Sequence, residues 1–587
     1  MKDFLKFTLA TVVGILLTGV VFFVLSVVVL TGIIAGSETE TNVHSNSVFV
    51  LSLDGIVSER KEHNPLETLL PQETSSIGLE DVLKSIRKAK DHKDIKGIYL
   101  EAGNLSASFA SLQAIRRELT EFKKTGKFVI AYGGNYSQST YYLASAADKV
   151  YLNPIGNVSW QGLSSEIVFL KDLLKKAGIQ MQVFKVGTYK SAVEPFTSTE
   201  MSEANREQTQ VFLNSIWTQI LNDVSASRKI SIDSLNAYAD SNLNFAQAKV
   251  YVDKKMVDGL KYQDEVLELL KKEMNIDSKP HTLKLEDMIN VDSTEPKGKH
   301  GNLIAVYYAS GEITDKPTSS YSDNGINAED MTVDLRELRE NEAIKAVVLR
   351  VNSPGGSGFA SEQIWREIML LKEKKPVIVS MSDYAASGGY YISCAADSIF
   401  AEATTLTGSI GVFGMIPDVS ELLTDKLGVR FDGVKTNQLS DMGSMGRPFN
   451  EAEKALVQQS IEDFYTLFVK RCAEGRKLPV EHIRKIAEGR VWTGATAKDL
   501  KLVDALGGLN DAVAAAAKKA GITEYTLTSS PEKSSGLFDF FDKTRKRYIG
   551  AQAEAVLGSY FQQLMYLKEI QDTDRIQARM PFFVTIR

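Results

Sequence analysis

At 587 residues the chain is too long for one ordinary core and fits two to four domains. Its composition is that of a folded globular protein, and a net charge of −6 argues against a general nucleic-acid binder. Two cysteines, Cys394 and Cys472, make neither a disulfide framework nor a cysteine zinc site and read as small core residues. The six histidines are scattered without metal-ligand spacing, so no metal or cofactor is expected.

The N-terminus carries the strongest global signal. Lys2 and Lys6 precede residues 7–37, which contain no charged residue. That run exceeds the roughly 20 residues needed to cross a bilayer and the roughly 7–15 of a signal-peptide core. It predicts an uncleaved transmembrane anchor over 1–37. With the lysines before the span and Glu38 and Glu40 after it, the N-terminus is expected in the cytoplasm. A polar tether follows over 38–46, and the remainder is expected on the outer face of that membrane.

From Val48 onward apolar strands alternate with amphipathic helices. A buried strand at 95–100 precedes a helical segment at 112–122, and a strand at 128–131 precedes a helix through Tyr141 to Ala147. Such alternation predicts an α/β fold with a largely parallel sheet. The same order recurs about 249 residues later, with 95–100 matching 344–349 and 141–148 matching 390–397. Ala248-Lys249 with Val257-Asp258-Gly259 likewise matches Ala497-Lys498 with Val503-Asp504-Ala505. The chain is therefore read as an internal duplication: a first repeat over 47–275, a linker over 276–302, a second repeat over 303–525 and a tail over 526–587.

The halves diverge at two turns. The second contains Asn352-Ser353-Pro354-Gly355-Gly356-Ser357 after one strand and Asp383-Tyr384-Ala385-Ala386-Ser387-Gly388-Gly389-Tyr390-Tyr391 after the next. At the matching places the first half has 103–108, without paired glycines, and Gln138 in place of Ser387. Ligand sites in open α/β sheets gather at the carboxyl ends of strands. Neutral drift of two turns would leave the same pattern.

Ser387 falls where a strand turns into a helix, a place suited to a nucleophile and equally to a tight turn with no chemistry. Gly355 and Gly356 could aim backbone N–H groups at a developing oxyanion. A serine nucleophile needs a base, and no histidine lies near either turn in sequence. A neutral lysine can serve instead. Lys190, in Tyr189-Lys190-Ser191-Ala192-Val193-Glu194-Pro195-Phe196, stands among small and apolar residues, but it is one of 68 basic residues. Its pKa would have to fall from about 10.4 to about 7–8, which burial can supply.

The 189–196 stretch, Pro354-Gly355-Gly356-Ser357, the 383–391 stretch and Leu406-Thr407-Gly408-Ser409-Ile410-Gly411 together resemble signal peptide peptidase A, in its long, duplicated bacterial form. The likeness covers about residues 45–520, and none of the four stretches departs from the family motif. It implies two tandem crotonase/Clp-protease-like α/β domains after one transmembrane helix. It also implies a Ser–Lys dyad of Ser387 as nucleophile and Lys190 as proton donor and acceptor. Gly355 and Gly356 would form the oxyanion hole, and Ser409, otherwise a turn serine, would orient the lysine. The implied protein is a homotetramer in the bacterial inner membrane, its catalytic region periplasmic, degrading signal peptides already released from preproteins. Two other readings stay open: a crotonase-like acyl-CoA hydratase or isomerase, and a catalytically silent membrane-anchored scaffold. In the tail, the aromatic–basic run 537–548 fits either an amphipathic segment on a membrane surface or a helix packed on a subunit.

Overall fold

The computed structural model describes residues 41–61, 76–241, 243–292, 301–315, 325–531 and 576–580, with residues 6–8, 11, 13–15, 17–19 and 21–22. Among the described residues no helix is long and apolar enough to cross a membrane. The anchor expected at 1–37 lies largely outside them, and the run at 537–548 wholly so.

Each half builds a mostly parallel sheet. In the first the strands lie in the order Ser76–Gly78, Ser47–Ser58, Ile95–Ser106, Phe128–Gly133, Lys149–Leu152, Gly259–Leu260. In the second the order is Val491–Thr493, Leu406–Gly408, Val377–Ala386, Ile344–Ser353, Leu303–Ser310, Thr526–Ser530, with Ser398–Ala401 beside Val377–Ala386. Helices cover the faces, so the central strands are buried on both sides and read as near-continuous apolar runs. Val347, Val348, Leu349 and Val351 are all fully buried. Cys394 and Cys472 are both buried free thiols.

The duplication extends to equivalent helices. The helices Phe109–Lys123 and Gly358–Lys372 follow equivalent strands, and each repeat carries one 26-residue helix, Glu203–Arg228 and Glu451–Arg476. The Gln138 counterpart of Ser387 has a structural use. Its amide accepts from the Gln161 and Gly162 N–H groups and donates to the Gly162 carbonyl, closing the turn.

The halves are not self-contained. A third sheet runs Ile326–Asn327, Ile313–Thr314, Gly355–Ser357, Gln577–Arg579, Val412–Asp418, Gln180–Val186. Its last pair is an antiparallel ladder of seven residues from each half, Val186 opposite Val412 to Gln180 opposite Asp418. Within the stretch read as a linker, His281–Leu283 adds a strand beside Ser47–Ser58 of the first sheet. The tail likewise returns: Thr526–Ser530 pairs with the strand Leu303–Ser310.

Buried polar contacts join the repeats beside the second sheet. Arg350 is 2% exposed, and its Nε donates to Glu59 Oε1 at 2.5 Å. The same guanidinium donates to Ser380 Oγ and Ser382 Oγ, each at 2.9 Å, on the strand leading to Ser387. Asp383 on that strand accepts from Ser108 Oγ and Ser111 Oγ of the first repeat.

Candidate active site

The strand Val377–Ala386 ends at Ser387, and the helix Gly388–Ser393 begins immediately after it. Ser387 has φ 54° and ψ −112°, a conformation that costs a non-glycine residue about 1–3 kcal/mol. Its N–H donates to the Gly408 carbonyl at 2.8 Å, and its carbonyl accepts from Tyr391 N–H at 2.8 Å. The turn is thus held at both ends while Oγ is displayed. Gly388 and Gly389 are needed for space: a methyl on Gly388 would lie 2.7 Å from Ser361 Oγ, and one on Gly389 2.7 Å from the Ser353 carbonyl oxygen.

Lys190 reaches this serine from the other half. After the strand Gln180–Val186 the chain turns at Gly187, φ 113°, where a methyl would meet the Glu488 backbone at 2.6 Å. Tyr189 N–H donates to the Glu488 carbonyl at 2.8 Å, and Thr188 N–H to Glu488 Oε2 at 3.0 Å. Beneath the loop, Gln208 Nε2 donates to the Tyr189 carbonyl and to Ser191 Oγ, each at 3.0 Å, while its Oε1 accepts from Val491 N–H. Gly489 packs against the lysine backbone so closely that a methyl there would fall 2.7 Å from Lys190 Cβ.

The result is a fully buried lysine whose Nζ lies 2.9 Å from Ser387 Oγ, 3.1 Å from Ser409 Oγ and 3.3 Å from the Ser409 carbonyl oxygen. Burial alone holds its pKa well below the usual lysine range. A neutral amine has two N–H donors and one lone pair. The two Ser409 oxygens can take both donors, which leaves the lone pair for the Ser387 hydroxyl proton. Ser409 itself has φ 49°, and its N–H donates to the Arg490 carbonyl at 2.7 Å.

The two glycines expected at an oxyanion hole differ in their surroundings. Gly355 N–H donates to Ser353 Oγ at 3.2 Å, and φ at Gly355 is 102°. A methyl on Gly355 would come 2.7 Å from the Gly388 nitrogen. Gly356 lies in the strand Gly355–Ser357, beside Ile313 of the neighbouring strand. The structure therefore brings together Ser387, Lys190, Ser409, Gly355 and Gly356, the five residues singled out in the sequence. The sequence did not single out the Gly388 N–H, the Glu488–Gly489 turn or the Gln208 amide. Apart from Gly388, these stand far from the motifs they support, so no local spacing could have disclosed them.

Comparison with known proteins gives the family. A profile of peptidase family S49 matches residues 121–277 and 369–523, one segment in each repeat. Protease 4 of Salmonella typhi is 37% identical over 524 residues, covering 86% of this chain and 84% of that protein. Protease 4 of Haemophilus influenzae is 36% identical, with 85% and 83% covered. The chloroplastic serine protease SPPA of Arabidopsis thaliana is 33% identical, with 92% and 78% covered. Among solved structures, a point mutant of ClpP1 from Listeria monocytogenes matches 35% of this chain and 94% of that one, at 19% identity; its TM-score of 0.24 carries nothing about this fold. Of the readings left open by the sequence, the hydrolase is the one this kinship carries: the chain belongs to peptidase family S49 and is a serine peptidase.

Proposed function

We propose that the protein is a membrane-anchored endopeptidase that degrades signal peptides after their release, using Ser387 as nucleophile and Lys190 as its base. The observation that carries this reading is the 2.9 Å contact between Lys190 Nζ and Ser387 Oγ, both fully buried. Ser387 Oγ adds to the scissile carbonyl as its proton passes to Lys190. The oxyanion is received by the Gly355-Gly356 loop, through Gly356 N–H, together with Gly388 N–H. Lys190 then protonates the leaving amine, and water, deprotonated by the same lysine, hydrolyses the acyl-enzyme. Ser409 orients the amine, and no cofactor takes part.

The two tandem repeats are read as crotonase/Clp-protease-like domains. The uncharged run 7–37 supports an anchor in the bacterial inner membrane with the catalytic region outside. The substrate class rests on the signal-peptide-peptidase resemblance and on the name of a 33%-identical relative from Enterococcus faecium, a signal peptide peptidase SppA. The same resemblance supports a homotetramer. Fluorophosphonate labelling tests the nucleophile: mass spectrometry should find the adduct on Ser387 and lose it in Lys190→Ala. An adduct on another serine, or equal labelling in both proteins, would overturn the dyad.

A further inference from the structure

Residues 488–492 meet both partners of the dyad. Val491 pairs antiparallel with Gly408, and the Gly408 carbonyl accepts from the Ser387 N–H. The Arg490 carbonyl accepts from the Ser409 N–H at 2.7 Å, and Gly489 N–H donates to the Ile410 carbonyl at 2.9 Å. The fit is close: a methyl on Gly408 would lie 2.8 Å from Trp492 Cδ1, and one on Gly411 2.7 Å from Gly489 Cα. The backbone of this stretch is thus fixed to the second repeat around Ser387.

The Arg490 side chain crosses to the first repeat. Its guanidinium carbon stands 4.5 Å from the centre of the Tyr189 ring and 4.6 Å from that of Trp492. Nη1 donates to Tyr189 Oη at 3.0 Å and Nη2 to Glu207 Oε1 at 2.7 Å, while Tyr189 Oη donates to Glu207 Oε2 at 3.2 Å. Arg490 Nε is buried with no hydrogen-bond partner among the described residues, as suits a guanidinium packed on aromatic faces. Trp492 is held in turn by its Nε1, which donates to the Ile486 carbonyl at 3.0 Å. The Arg490 side chain is 20% exposed and that of Glu207 52%, so the ring contacts are the stronger hold and the ion pair the weaker.

We infer that Arg490 is a positioning residue for the reaction: its guanidinium, spanning Tyr189 of one repeat and Trp492 of the other, sets Lys190 Nζ against Ser387 Oγ and keeps water from the lysine. This role rests on the Ser387–Lys190 reading. Tyr189 directly precedes the lysine; its backbone is held by Gln208 and Glu488, and its ring by Arg490. The charged groups on the elements packed round this loop are Glu194, Glu207, Glu488 and Arg490 itself. Glu194 accepts from Ser202 and Asn205, and Glu488 from Thr188. The bonds of Lys190 Nζ go instead to Ser387 and Ser409, so Arg490 acts on the amine through position and cover. A shift of about 1 Å at such a site can cost on the order of 10²-fold in rate.

The test is the pH dependence of kcat and KM for hydrolysis of a fluorogenic peptide by the purified full chain, with the melting temperature followed in parallel. Arg490→Leu should lose on the order of 10–10²-fold in kcat while KM stays within about twofold. Its pH profile should move up toward the ordinary lysine range as water reaches the amine. Arg490→Lys should move the same way, since an ammonium keeps the charge but not the plane that spans two rings. Glu207→Gln should keep the wild-type profile. A lower melting temperature with an unmoved profile would give Arg490 a purely structural part and overturn the inference. A Glu207→Gln profile displaced as far as that of Arg490→Leu overturns it in favour of the ion pair. If Arg490→Leu does not fold, Arg490→Lys decides, and a wild-type profile there overturns the inference while sparing the dyad. Full activity in Lys190→Ala would instead remove the dyad, and this inference with it.

Discussion

Lys190 and Ser387 stand 197 residues apart in sequence and 2.9 Å apart in space, one from each half of a duplicated chain. Neither half holds both groups: the first has Gln138 where the second has Ser387. The seven-residue ladder between Gln180–Val186 and Val412–Asp418 is the element that delivers the lysine, since its loop begins one residue beyond that ladder. With Lys190 as the base proposed above, the site exists only when the repeats are docked.

The burial of Lys190 sets the pH dependence. Desolvation pushes the amine toward neutrality, and no carboxylate opposes it. Peptide hydrolysis should rise with pH through an apparent pKa well below the usual lysine value of about 10.4 and then level off. Stability follows with the same sign. Between the depressed native pKa and about 10.4 the unfolded chain binds one more proton at this group, so stability rises with pH across that window. The melting temperature of the wild type, taken relative to Lys190→Met, should therefore increase from neutral pH toward about pH 10. A difference that is flat in pH would show that the buried amine is not neutral.

Gly355 tests the space next to the nucleophile. Alanine there would sit at φ 102° with its methyl 2.7 Å from the Gly388 nitrogen. That contact would displace the Gly388 N–H, one of the two proposed oxyanion donors, so peptide kcat/KM should fall on the order of 10²–10³-fold, the cost of losing one such donor. Activity within about threefold of wild type would mean that the loop has room the structure denies it.

Much of the second repeat was legible from the residues. Strands such as Ile344–Ser353 are buried on both faces along most of their length, and the apolar run Ala346 to Leu349 announces them. Ser387 and the paired glycines were legible because a turn at φ 54° and close backbone approaches restrict residue choice. The inter-repeat ladder was not, because its bonds are made by backbone groups that every residue owns. For the same reason the strand His281–Leu283 was hidden in a stretch read as a linker, and Gln577–Arg579 in a stretch read as a tail. Glu59 is an ordinary surface residue type whose buried partner, Arg350, lies 291 positions away.

That pair gives a prediction about assembly. Glu59→Ala would leave the Arg350 guanidinium buried without its carboxylate, which typically destabilises by about 3–5 kcal/mol. Urea unfolding should report a loss of that order, and activity should fall with it because the same guanidinium holds Ser380 and Ser382. A loss below about 1 kcal/mol would show that the halves are held by other contacts.

Ser409 should matter less than either member of the dyad. Ser409→Ala removes one of the two oxygens available to the lysine N–H groups, and the backbone carbonyl at 3.3 Å remains. One hydrogen bond is worth about 1 kcal/mol, so kcat should drop about fivefold. The apparent pKa of the rate profile should move, because the partner of the neutral amine is lost. A drop as large as that of Lys190→Ala would assign Ser409 a direct part in proton transfer.

The most direct measurement is kcat/KM for peptide hydrolysis by purified Lys190→Ala, with folding checked by circular dichroism. A residue acting as a unit with its nucleophile should cost on the order of 10⁴–10⁶-fold when removed, and Ser387→Ala/Lys190→Ala should be no worse than either single variant. A folded Lys190→Ala enzyme with activity within about tenfold of wild type would contradict the dyad.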